Sequence, residues 1–128
     1  MALGGYDPHM TAPDNPFGFT APWYALGLVT PERLAALGAE WGRGEDRSPE
    51  HYRWRAFREF VAEHRPLAPA LAGALYALGA ADPDRPMGEA VMHAVVELPE
   101  CPPEVVALAA GSGVRHLVRA AERRRAAA

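Results

Sequence analysis

Five histidines, one cysteine and sixteen acids are the residues of this 128-residue chain with obvious metal-binding or proton-moving chemistry. A helical metal site needs two ligands three or four positions apart, so that both lie on one face. Among His9, His51, His64, His93 and His116 no two are so spaced. Glu89 and His93 are, but a single Glu–His pair at that spacing reads as an intrahelical surface contact. Glu63 and His64 are neighbours in sequence and diverge around a helix. Asp82, Asp84 and Glu89 sit in ADPDRPMGE, which lacks the ligand spacing and central turn glycine of a calcium loop. Its Asp82-Pro83 step reads instead as turn initiation. Cys101 lies at a helix entrance, where amide dipoles can lower a thiol pKa. A nucleophilic cysteine also needs a placed base, and spacing alone selects none of His64, His93 or His116. There is no phosphate-cradling glycine loop, nucleophile elbow or pair of catalytic carboxylates. The expectation is a chain without enzymatic activity, metal or cofactor.

Residues suited to contact are easier to find. Aromatic and arginine side chains dominate interface energetics, and Tyr52, Arg53, Trp54, Arg55 and Arg58 place both types on one stretch. Trp54, between two arginines, is the foremost candidate anchor, and Met87 is another. Arg115 and Arg119 open a basic end: 113–128 holds five arginines against one acid, whereas 66–112 holds six acids against one arginine. Trp41 and Tyr76 read as core. The expected function is a protein-interaction module presenting helices to a protein partner. One alternative is nucleic-acid binding, with arginines on phosphates and a ring stacked on a base; Glu50, Glu59, Glu63 and the formal charge of −3 oppose it. Another is a self-assembling subunit, its acidic middle meeting its basic end.

These side chains need scaffolding, and the prolines announce it. Met1–Pro22 carries four prolines and three glycines, which exclude a regular helix or central strand and predict an irregular arm. Phe17, Phe19, Trp23 and Tyr24 predict that its end lies against the helical body. Thr30-Pro31-Glu32 and Ser48-Pro49-Glu50 each combine a capping residue with proline at the first helical position. Leu34, Leu37 and Trp41 form one apolar stripe, and Tyr52, Phe57, Phe60 and Val61 the next. Leu71, Leu75 and Leu78 follow Pro69, with Gly79 as the expected stop. Met87, Val91, Val95 and Leu98 follow Pro86. Val105 and Leu108 follow Pro103, and Val114, Leu117, Val118 and Ala121 mark a last helix. No segment alternates as a strand does. The expected fold is all-α.

Pro31, Pro69 and Pro103 lie 38 and 34 residues apart, each heading a helix, a break and a second helix. A helix pair that cannot bury both its stripes stacks on its neighbours, which is the logic of an α-solenoid. The last unit, PECPPEVVALAAGSGVRHLVRAAERR, resembles a leucine-rich variant repeat, a relative of HEAT repeats. Cys101, Pro102, Pro103, Glu104, Val105, Val106, Leu108 and Ala109 carry the likeness, with Val114, Arg115, Val118 and Ala120; it is strongest over 99–125. Family members with an iron–sulfur cluster use a cysteine-rich N-terminal region that this chain lacks, so the resemblance implies no cofactor. The predicted architecture is a short right-handed solenoid-like stack of about three helix pairs, with an arm over 1–22 and one helical domain over 23–128. An irregular helical bundle is the alternative.

Composition agrees with one domain's worth of core: 49% of residues are hydrophobic and 23% charged. All 13 basic residues are arginine, a bias that a GC-rich bacterial genome produces without any functional demand. No apolar run approaches the roughly 20 residues of a membrane span, and Met1–Met10 has no signal-peptide pattern. A cytoplasmic location is expected.

Overall fold

A computed structural model describes residues 17–43 and 48–127. Tyr6 and His9 of the arm, and most of the GRGEDR break, lie outside the described residues. Within them every regular element is a helix, with no strand: α1 Ala21–Ala25, α2 Pro31–Arg43, α3 Pro49–His64, α4 Pro69–Ala81, α5 Arg85–Glu97, α6 Pro103–Ala110 and α7 Arg115–Ala127. None is long and apolar enough to cross a membrane.

The helix starts follow from local chemistry. Proline at N1 costs nothing, because the first-turn amides have no intrahelical acceptor. Thr30 Oγ1 accepts from Arg33 N at 3.1 Å, and Ser48 Oγ accepts from His51 N at 3.2 Å. Asp84 caps α5 by accepting from Met87 N, while Asp82 accepts from Asp84 N at 2.8 Å. The acids of ADPDR are thus turn and cap residues. α1 was not anticipated: it is a five-residue helix with proline in its first turn, too short to show periodicity.

The chain forms two compact units, Met1–Phe60 and Val61–Ala128, dividing within α3. In the first, the end of the arm is core. Phe17 is wholly buried, its ring 4.9 Å from Tyr52 and 5.6 Å edge-on from Trp41. Phe19 lies 5.3 Å from Trp23, which is also wholly buried. Arg53 donates from Nη1 to the Phe17 carbonyl. Gly18 turns the chain there with φ +80°, a conformation that side chains avoid, and an added Cβ would lie 3.0 Å from Arg53 Nη1. Arg55 joins α3 to α2 through both oxygens of Glu40, at 2.5 and 3.0 Å.

The second unit holds two helix pairs, α4 with α5 and α6 with α7, stacked so that α5 also meets α7 and α4 meets α6. Its core includes Leu75, Val91, Val95, Val96 and Leu117, all fully buried. Gly79 does not end α4, which continues to Ala81. It is a contact point instead. A Cβ on Gly79 would stand 2.7 Å from the Gly88 carbonyl, and one on Gly88 would run into the Gly79 carbonyl, so the two backbones touch. The Arg65–Pro66 peptide bond before α4 is cis.

Glu100 ties the entrance of this unit to its middle. It accepts from Arg65 Nε and Nη2, both at 3.0 Å, and from Leu67 N at 3.1 Å. The guanidinium hydrogen bond is the largest cause holding the Glu100 pKa at about 2, below the ordinary 4.5. A carboxylate with a depressed folded pKa stabilises above its unfolded value and loses that contribution as pH falls through the folded one. Glu100→Gln is therefore expected to lower stability at pH 6 by about 1 kcal/mol, discounted for solvent screening near the surface. In paired urea titrations the gap closes progressively below about pH 4.5, toward about 2.

Candidate functional site

The structure divides the contact residues expected on α3. Tyr52 is fully buried and Arg53 retains only 6% exposure. Both are corrected from surface candidates to core residues, because the arm brings Phe17 and its carbonyl down onto that face of α3. Trp54 is half-buried, stacked 5.4 Å from Phe57 at an interplanar angle of 29°. Arg55 is committed: the Glu40 hydrogen bond, with Glu59 at 3.8 Å, raises its pKa further. Arg58 is exposed, with no ion pair among the described residues. The α3 patch thus retains one partly covered ring and one unpaired cation.

Met87 is also corrected: it is 7% exposed, pulled inward on the buried face of α5 that Val91 and Val95 continue. Arg115 and Arg119 are exposed on α7 without ion pairs among the described residues. Between them and α5 runs a line of paired groups. His116 Nε2 lies 3.1 Å from Glu89, His93 Nε2 lies 3.4 Å from Glu97, and Arg123 Nη2 lies 2.5 Å from Glu97. The two imidazoles are 5.5 Å apart. The Arg123 hydrogen bond leads the causes that lower the Glu97 pKa. Glu89, read from spacing as a partner of His93, pairs across the helices instead. No group of three or more His, Cys, Asp or Glu side chains among the described residues is arranged to hold a metal.

A cleft of about 390 Å³ opens in the second unit, lined by Pro99, Cys101, Pro103, Val106, Arg124 and Arg125. The α5–α6 connection supplies the first two, α6 the next two and α7 the arginines. Arg124 Nη2 donates to the Pro99 carbonyl at 3.0 Å, which fixes the guanidinium, while its buried Nε has no hydrogen-bond partner. Arg125 is exposed and has no ion pair among the described residues. Two nearby acids are engaged, Glu97 with Arg123 and His93 and Glu100 with Arg65 and Leu67, while Glu104 beside Pro103 is exposed. The cleft lining thus combines apolar side chains with two guanidiniums.

Cys101 contributes a neutral thiol to the lining. Burial is the largest cause pushing its thiol up to about 11, against Glu100 and Arg124 acting in opposite senses. The helix entrance does not lower it, because desolvation of a thiolate outweighs the amide dipoles. Iodoacetamide at pH 8 is expected to alkylate Cys101 about 100-fold more slowly than an exposed thiol of ordinary pKa, as followed by mass spectrometry.

Spacing did not single out this cleft. The run Arg123–Arg125 is visible in sequence but reads as a cationic helix end complementing the dipole. The chain matches no family model, no curated protein and no solved structure.

Proposed function

We propose that this chain is a non-enzymatic protein-interaction module, with Val61–Ala128 acting as two HEAT-like helix pairs that present a partner surface. One observation carries the reading: a cleft lined by two prolines and a valine also carries the guanidiniums of Arg124 and Arg125, which form no ion pair among the described residues. Apolar contact flanked by arginine is the composition of energetic centres in protein interfaces. Leu108, 58% exposed on α6, extends the apolar surface of that helix. Trp54 and Arg58 of the first unit offer a second, smaller contact.

The test is affinity capture from a native lysate with the wild type, an Arg124→Gln/Arg125→Gln double variant and Trp54→Ala side by side. The double variant is expected to lose captured proteins that the other two retain. An identical set from all three removes the cleft as the binding surface. The nucleic-acid reading draws on Arg115, Arg119 and Arg125 of α7, which are exposed and form no ion pair among the described residues. A shift of labelled RNA or DNA at ~50 mM salt that fades as salt rises would favour it.

A further inference from the structure

From the cleft of the second unit we infer that the module recognises its partner by a chain end: a free C-terminal carboxylate beside an apolar last side chain. The inference rests on the interaction-module reading and specifies its ligand.

Main-chain hydrogen bonding decides between a chain end and a strand running through. An extended peptide crossing a groove brings an N–H and a C=O at every residue, and each needs a partner when desolvated. The cleft offers few. Pro99 and Pro103 have no amide hydrogen, and the Pro99 carbonyl is already taken by Arg124. The charged donors of the lining are instead the two guanidiniums of α7. A terminal residue suits this distribution, because its carboxylate and side chain leave the same Cα, so one reaches the guanidiniums while the other enters between the walls. Guanidinium and carboxylate pair through parallel N–H···O bonds, a match of shape as well as charge.

Size and charge agree. At about 390 Å³ the cleft lies near the lower end of ligand pockets, roughly 300–1,000 Å³. The neutral Cys101 thiol adds no anion to compete with the ligand. Arg124 is held in place by the Pro99 carbonyl, so little side-chain freedom is lost when a carboxylate arrives.

The decisive experiment uses acetylated tetrapeptides varied at their last two positions, each made once as the free acid and once as the C-terminal amide. Binding to the full chain is measured by titration, with Val106 methyl resonances reporting location. Free acids ending in Leu, Ile, Val or Phe are expected to bind at least tenfold more tightly than their amides and to shift Val106. In the Arg124→Gln/Arg125→Gln protein, shown folded by circular dichroism, that preference disappears. The inference is overturned if no free acid exceeds its amide, or if the preference survives in the double variant. Octanoate displacing the peptides at equal concentration would overturn the peptide assignment in favour of a free apolar acid. Should acid and amide bind alike while lysate capture still depends on the two arginines, the chain-end inference falls and the interaction module stands.

Discussion

Gly88→Ala is expected to destabilise the second unit by at least about 2 kcal/mol, even though alanine is the better helix former by ~1 kcal/mol. The opposing effect is steric and larger. The new methyl would meet the Gly79 carbonyl of the facing helix and lie 3.2 Å from the Asp82 Cβ. Carbonyl oxygens inside a helix cannot rotate away as side chains do, so α4 and α5 must separate along their shared core. A loss of that size lowers Tm by roughly 10–15 °C in a domain of this length. Gly73→Ala in α4 is the internal control. Its Cβ would have nothing within 4 Å, and it is expected to gain about 0.5–1 kcal/mol. Calorimetry of the two variants with the wild type checks both signs.

Phe17→Ala has the second large effect, about 4 kcal/mol lost from the first unit. Phe17 is wholly buried and touches Phe19, Trp41 and Tyr52 at 5.8, 5.6 and 4.9 Å between centroids. Truncation removes the burial of a large side chain and three ring contacts worth roughly 0.5–1.5 kcal/mol each. The cavity also loosens the carbonyl that receives Arg53. Chemical denaturation measures the loss, and near-ultraviolet circular dichroism should fall as Trp41 and Tyr52 lose their fixed neighbour. An unchanged midpoint would mean that the end of the arm contributes no core.

How far these features were legible depends on how local their causes are. Pro31, Pro49, Pro69 and Pro103 each stand first in a helix, since a missing amide and a restricted φ act on the residue that carries them. The aromatic end of the arm was readable for a similar reason: four large rings in eight residues need a dry place. Gly79 was misread because a helix stop and a helix contact look the same along the chain. The difference lies in Gly88, which faces it only after the chain has turned. Tyr52 fits both the apolar stripe of its helix and a contact patch, and what buries it with Arg53, Phe17 and its carbonyl, lies 35 and 36 residues earlier. Arg124 and Arg125 gain their setting from Pro99, Cys101 and Val106, which come beside α7 only once the unit has packed.

The pair of arginines lining the cleft has a regulatory consequence. A lysine there would be open to acetylation, methylation or ubiquitin transfer, and its charge could be switched off. This chain has arginine at all of its basic positions, and guanidinium keeps its proton throughout the physiological range. These guanidiniums therefore stay positive whatever the acyltransferase activity around them, and the acidic occupant proposed above would have to be displaced by a competitor, by ionic strength or by modification of its own terminus.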